Sequence, residues 1–173
     1  MTRLAIAFLS LIIVATPCVA GFAYFRVAGD QAGTVCALTD NGAGSLVSVY
    51  VWHMGGGATG SHFGISPPAG ATWAFVEFQN PFGQIPASST DITLNYGTCI
   101  DADTYLGVAS WISTVPAPSC SDIAVWPNTI TDCAFVEHSG IFSQPMIVNS
   151  IVGCPCVSAI EPTTWGSVKA LYR

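Results

Sequence analysis

The sequence has 173 residues, of which four are Lys or Arg and ten are Asp or Glu, so its formal net charge is −6 at pH 7. This negative charge repels phosphate backbones and therefore argues against nucleic-acid binding. Only 8% of the residues are charged, whereas a typical soluble protein has about 25%. The composition favours an exported β protein over a cytosolic enzyme.

The first 20 residues have the layout of a secretory signal peptide. Arg3 supplies a positive charge, residues 4–14 form an almost unbroken apolar run, and Pro17 ends it ahead of a cleavage point after Ala20. The run is too short for a membrane span, which needs about 20 apolar residues, although an uncleaved anchor is the alternative. We therefore predict a secreted or cell-surface protein, extracellular or periplasmic, with no membrane span after cleavage.

Short runs rich in β-branched and aromatic residues follow, separated by clusters of Gly, Pro, Asn and Ser. They predict strands at 22–28, 34–38, 46–54, 72–79, 91–96, 105–112, 122–126, 131–137 and 145–151. The Gly-rich stretch 55–61 is predicted as a flexible loop. Strands at this spacing indicate one all-β domain over residues 21–160, an antiparallel β-sandwich of immunoglobulin-like or cohesin-like type. A barrel is the main alternative.

Two of these runs alternate in a way that predicts which side chains face inward. In 46–54, one face carries Val47, Val49, Val51 and His53, and the other carries Leu46, Ser48, Tyr50 and Trp52. In 72–79, one face carries Trp73, Phe75 and Glu77, and the other carries Ala74, Val76 and Phe78.

Six cysteines remain once Cys18 leaves with the signal peptide, and they are Cys36, Cys99, Cys120, Cys133, Cys154 and Cys156. An even number in an exported chain predicts three disulfides. Zinc is the competing interpretation, but Cys154 and Cys156 form a C-x-C pair, whereas zinc sites usually use C-x₂₋₄-C. The stretch 120–133 resembles two strands around a turn at Pro127, which predicts a Cys120–Cys133 bridge. Cys36 and Cys99 would then pair with Cys154 and Cys156.

The histidines provide one weak candidate for a metal site. His53 and His62 flank the Gly-rich loop and would meet if that loop folded back as a hairpin, with a third ligand from His138 or Glu137. The spacing fits no established metal motif. Ordinary histidines at the edge of a loop are the alternative interpretation.

The carboxylates offer two further sites, each with a simple alternative. Asp101 and Asp103 are two residues apart and could hold Ca²⁺, but a solvated turn explains them equally. Glu77, Asp91 and Glu137 could converge as catalytic carboxylates of a glycoside hydrolase. The sequence contains no Gly-x-Ser-x-Gly turn and no other catalytic signature. We therefore predict no enzyme activity and no cofactor.

Tryptophan side chains are a candidate platform for carbohydrate. The five residues are Trp52, Trp73, Trp111, Trp126 and Trp165. A row of exposed Trp rings could stack on sugars. The first four lie within predicted strands, where core packing is the alternative.

The C-terminal segment 161–173, "EPTTWGSVKALYR", departs from the strand pattern. A helical period starts near Thr163. One face of such a helix would carry the apolar residues Trp165, Val168 and Tyr172. Another face would carry Lys169 and Arg173, which are half of the basic residues of the chain. Cations near a helix C-terminus are favourable, but so short a helix must dock on something to be stable. We therefore predict a short helical or extended tail that serves as a docking or sorting element.

The ending also resembles a C-terminal signature. The pattern Trp-Gly-x-Ile/Val-Lys-x-Leu-Tyr/Phe-Arg, found in uncharacterised secreted bacterial β-rich proteins, is matched by Trp165, Gly166, Val168, Lys169, Leu171, Tyr172 and Arg173. A signal peptide and a C-x-C pair before the tail accompany it. The resemblance implies secretion and a β fold, and it implies no activity.

These observations favour an exported, non-catalytic structural or binding module of the cell surface or extracellular space. Its partner would be a surface or sorting protein that contacts the C-terminal tail. A carbohydrate-binding module that uses exposed Trp is the alternative, and a secreted hydrolase is the second alternative.

Overall fold

The computed structural model describes residues 23–141 and 143–154. The predicted signal peptide 1–20, Cys156 and the whole tail, including Trp165, Val168, Lys169, Tyr172 and Arg173, therefore lie outside the described residues.

The described part of the chain folds into strands and turns without a helix. The strands, in chain order, are β1 (Tyr24–Ala28), β2 (Ala37–Leu38), β3 (Leu46–Met54), β4 (Ala58–Ile65), β5 (Thr72–Gln79), β6 (Ile92–Ile100), β7 (Thr104–Val115), β8 (Ser121–Ile123), β9 (Val125–Asp132), β10 (Glu137–Ser139), β11 (Ser143–Gln144) and β12 (Met146–Val148). Within the same residues, no helix is long and apolar enough to cross a membrane.

The strands form two main sheets that enclose one core. The first sheet has five strands in the order β11-β1-β3-β7-β5, and the second has four in the order β10-β9-β4-β6. A small third sheet has the order β2-β12-β8. Every pair in the two main sheets is antiparallel except β1 with β11. The predicted all-β sandwich is confirmed.

The inward faces of the two sheets supply the core. Val47, Val49 and Val51 are fully buried, as the alternation in 46–54 predicts, and Phe63 and Ile92 from the second sheet are buried with them. Each such side chain contributes roughly 1.5–3 kcal/mol relative to its exposed state.

Two sequence predictions about strands are wrong. The stretch 55–61 is not a loop throughout, because β4 begins at Ala58 and extends to Ile65 between β9 and β6. The stretch 131–137 is not one continuous strand, because β9 ends at Asp132, β10 begins at Glu137, and the chain turns between them. In that turn the Asp132 carboxylate accepts hydrogen bonds from the amides of Ala134 and Val136.

A β-bulge changes which residues of β5 face the core. The pairing of β5 with β7 shifts between Phe75 and Glu77. The extra residue returns Phe78 to the side of Trp73, and both are buried. The sequence alternation predicts Phe78 on the opposite face, and the bulge is the reason that this prediction is wrong.

Two disulfides join distant parts of the chain, Cys99–Cys133 and Cys120–Cys154. The predicted Cys120–Cys133 bridge is therefore wrong, and so is the pairing of Cys99 with either Cys154 or Cys156. Pro127 lies inside β9 instead of at a turn, so this strand separates Cys120 from Cys133. Cys36 is also disulfide-bonded.

The buried carboxylate of Asp40 fixes one end of the sandwich. Burial alone would raise its pKa, but the hydrogen bonds that it accepts together lower the pKa below its ordinary value. Its donors are the indole of Trp73 at 2.8 Å, the hydroxyls of Ser113 at 3.1 Å and Ser45 at 3.2 Å, and the amides of Ala117 at 2.8 Å and Gly42 at 3.0 Å.

Candidate binding surface

The outer face of the four-stranded sheet carries mostly polar side chains. In β4, Ser61 and Phe63 point into the core, while His62 between them is exposed. The register aligns His62 with Thr93 of β6 and Thr129 of β9. One step along the sheet, Gly60 aligns with Asn95 and Thr131, and Thr131 pairs with Glu137 of β10. We call this set the polar face, formed by His62, Thr93, Asn95, Thr129, Thr131 and Glu137.

A shallow depression of about 280 Å³ lies in the polar face. Its floor includes Gly60, where an added Cβ would lie 2.8 Å from the carbonyl oxygen of Leu94 on the neighbouring strand. This position is therefore restricted to glycine, and the missing side chain leaves room between the polar groups around it. All six residues of the polar face line the depression, together with Phe135.

Phe135 stands at the rim of the depression on a rigid turn. Its side chain is 78% exposed, and its backbone adopts a φ of 62°, a conformation that costs a non-glycine residue roughly 1–2 kcal/mol. The turn is held by the Asp132 hydrogen bonds and by the disulfide from Cys133 to Cys99. A strained residue that persists because its surroundings hold it is often functional.

The edges of the polar face are acidic. His62 Nε2 lies 2.9 Å from Asp91, and His138 Nε2 lies 2.9 Å from Asp132. The hydrogen bond from His138 is the main cause that lowers the pKa of Asp132. Among the described residues, the single Lys or Arg is Arg26, which lies on β1 of the other sheet. The described part of the polar face therefore contains no basic side chain other than histidine.

The predicted histidine metal site is not formed. His53 is fully buried in β3 of the five-stranded sheet, whereas His62 is exposed on the outer face of the four-stranded sheet. In the described part of the chain, no group of three or more His, Cys, Asp or Glu side chains could hold a metal ion. Asp101 is exposed, and Asp103 accepts a hydrogen bond from the amide of Gly55 at 2.8 Å, which orders the turn before β7.

His53 is instead a core residue with an unsatisfied polar atom. Its ring packs edge-on against Phe25 and Tyr96, and its Nδ1 lies 3.5 Å from the Tyr96 hydroxyl. Its Nε2 is buried without a hydrogen-bond partner among the described residues. Burial lowers the pKa of His53 to about 4, against a smaller opposing effect of Asp103. Burial also raises the pKa of Tyr96.

The four tryptophans within the described residues do not form an exposed row. Trp73 and Trp111 are buried, so the core interpretation is correct for both. Trp52 is half-buried and packs against Tyr105, with 5.6 Å between ring centroids. Trp126 is 67% exposed and lies on β9, the strand that also carries Thr129 and Thr131 of the polar face.

The three carboxylates suggested for hydrolysis lie apart. Glu77 is on β5 of the five-stranded sheet, and Asp91 and Glu137 are at opposite edges of the four-stranded sheet. Three strand spacings separate those edges, which is about 14 Å. The carboxylates of glycoside hydrolases are at most about 9.5 Å apart.

The polar face is not among the sites that the sequence predicts, although one local signal for it is present. In β4, buried Ser61 and Phe63 stand on either side of exposed His62, an alternation that the surrounding glycines conceal. No local signal indicates that β9 and β6 flank β4, because these pairings join residues far apart in the chain.

These features define an all-β protein with a cohesin-like sandwich fold. The sixth cohesin of scaffoldin B from Acetivibrio cellulolyticus is similar to it, with a TM-score of 0.50, 16% sequence identity, and coverage of 76% of this chain and 100% of that chain. No family model matches this chain, and no curated protein matches it.

Two further solved structures have lower scores. A cohesin module of a family 33 glycoside hydrolase from Clostridium perfringens has a TM-score of 0.48 and 9% identity, and covers 75% of this chain and 98% of that chain. A non-cellulosomal cohesin from the archaeon Archaeoglobus fulgidus has a TM-score of 0.45 and 14% identity, and covers 76% of this chain and 87% of that chain.

Proposed function

We propose that this chain is an exported, non-catalytic binding module that holds a protein partner on its polar face. The observation that carries the proposal is the rigid turn that presents Phe135 beside a depression lined by hydrogen-bonding side chains. An aromatic anchor next to polar groups is the usual arrangement of an interface hot spot. Because the polar groups are on strands, they are already ordered before binding.

Three further observations support the proposal. The cohesin of similar fold from Acetivibrio cellulolyticus was solved in complex with a dockerin, which is a protein partner. The disulfides favour an oxidising compartment, as the proposed signal peptide does. The separation of Asp91 from Glu137 disfavours hydrolysis.

The C-terminal segment 161–173 is the second docking element in this proposal, and it connects the module to the cell surface or a sorting protein. Removing residues 163–173 should leave the domain folded, with a melting temperature changed by only a few degrees, and abolish its attachment. Thermal unfolding and cell fractionation measure the two effects. If the truncated chain does not fold, the segment belongs to the domain core.

A carbohydrate ligand is the second candidate function. Trp126 and Phe135 are both exposed on or beside β9, and the hydroxyl, amide and carboxylate groups of the polar face could bind sugar hydroxyls. Binding of soluble neutral oligosaccharides, followed by tryptophan fluorescence, would favour this candidate. Trp126→Ala should then abolish the signal, whereas a protein partner held at Phe135 would bind that variant normally.

The test of the protein-partner proposal uses one matched pair of substitutions. Thr131→Arg places a large charged side chain in the polar face, and Ser110→Arg makes the same change on β7 of the other sheet. Proteins captured from surface extracts are identified, purified and titrated by calorimetry against the wild type and both variants. We expect Thr131→Arg to weaken binding about tenfold or more and Ser110→Arg to leave it unchanged. Equal affinities of the two variants would place the partner elsewhere.

A further inference from the structure

The charge of the polar face indicates what kind of segment it attracts. Glu137 lines the depression and is exposed, and the Asp91 side chain at the opposite edge is 76% exposed. Asp132, in the turn that carries Phe135, adds a third carboxylate, although its oxygens already accept hydrogen bonds from the amides of Ala134 and Val136 and pair with His138. Because no Lys or Arg of the described residues lies on this face, its acidic groups attract a cationic segment that also carries an aromatic or aliphatic side chain for Phe135.

The chain itself contains one segment with this chemistry. Residues 163–173 hold Trp165 together with Lys169 and Arg173, which are two of the four basic residues of the sequence. Lys169 is the only lysine in the chain. The segment therefore combines the aromatic ring and the cations that complement Phe135 and Glu137.

We propose that residues 163–173 bind the polar face of their own domain. Cys154, the last described residue, is tied to Cys120 ahead of β8 and β9, and Lys169 is the fifteenth residue after it. Such a length reaches at most about 50 Å, whereas β9 spans only about 26 Å. The polar face is therefore within reach, and the tether gives the segment an effective local concentration on the order of 1 mM.

Weak contacts are enough to hold the tethered segment on the polar face, because its effective concentration there is about 1 mM. One exposed ion pair and one aromatic contact would suffice. When the surface or sorting partner of the proposed function does not hold the segment, the segment occupies the polar face and competes there with the partner of that face. Because of this competition, which rests on the proposed function, a chain lacking 163–173 binds the partner of the polar face more tightly than the full chain does. The docking of the segment does not depend on any partner.

The single lysine makes the contact directly measurable. A zero-length carbodiimide couples Lys169 to a carboxylate only where the two groups touch, and peptide mapping of the oxidised full chain then identifies the carboxylate. We expect the coupling within one molecule to Glu137 or Asp132. Phe135→Ala, which leaves every carboxylate in place, should lower the yield by roughly fivefold. Ile85→Ala, a matched change at a residue that is 95% exposed, should not change it.

The same map contains the results that would overturn the proposal. Coupling of Lys169 to Asp30, Glu77 or Asp122, coupling between two copies only, or a yield unaffected by Phe135→Ala would each show that the segment docks elsewhere. Because the cross-link needs no partner, these failures leave the test with Thr131→Arg intact. Failure of that test in turn does not alter the cross-link map.

Discussion

Lowering the pH should destabilise this fold through His53. Its pKa falls from 6.5 in an unfolded chain to about 4 in the core, because burial disfavours the imidazolium. Between those values the unfolded state binds a proton that the native state does not. The stability is therefore complete above pH 6.5 and decreases as the pH falls towards 4. At 1.36 kcal/mol per pKa unit, the loss is about 3 kcal/mol.

Chemical unfolding of the wild type and of His53→Leu between pH 7.5 and 4 measures this loss. Leucine has a similar volume and no proton to bind, so we expect the variant to lose about 3 kcal/mol less than the wild type. His62→Gln, at an exposed histidine, is the control and should follow the wild type, apart from the small effect of its exposed pair with Asp91. Parallel curves for the wild type and His53→Leu would refute the assignment of the pH dependence to this buried ring.

Three other changes test the packing of the domain, and denaturant unfolding checks each of them. Asp40→Ala leaves buried hydrogen-bond donors without an acceptor and should lower the free energy of unfolding by about 4 kcal/mol. A loss below about 1 kcal/mol would mean that water replaces the carboxylate. Cys99→Ser with Cys133→Ser removes a disulfide across a sequence separation of 34 and should lower the free energy of unfolding by about 4 kcal/mol. An unchanged denaturant midpoint would contradict this prediction. Gly60→Ala should cost about 2 kcal/mol, whereas Gly153→Ala, where a Cβ meets nothing within 4 Å, should cost little.

Strand identity could be predicted from the sequence wherever a period of two was uninterrupted. Val47, Val49, Val51 and His53 alternate with half-buried or exposed residues in β3 as expected, and these patterns sufficed for the all-β class. The alternation failed at Phe78, because a bulge depends on how β5 meets β7. It also failed at β4, where glycines needed for close strand packing imitate a loop.

The candidate site was harder to predict because it is assembled from distant segments. The sequence suggests Glu137 and His138 only as ligands or catalytic groups, and it predicts a strand at Phe135. The turn that exposes Phe135 depends on the Asp132 carboxylate and on the bridge from Cys133 to Cys99. Disulfide connectivity depends on the three-dimensional arrangement, and six cysteines allow 15 pairings.

Hydrogen exchange of the protein with and without its captured partner tests the central claim most directly. If the polar face holds the partner, amides of β4, β9, β10 and the turn at Phe135 should become protected on binding, while those of β3, β5 and β7 in the other sheet should exchange as before. Protection confined to the five-stranded sheet, or no added protection in either sheet, would contradict the account.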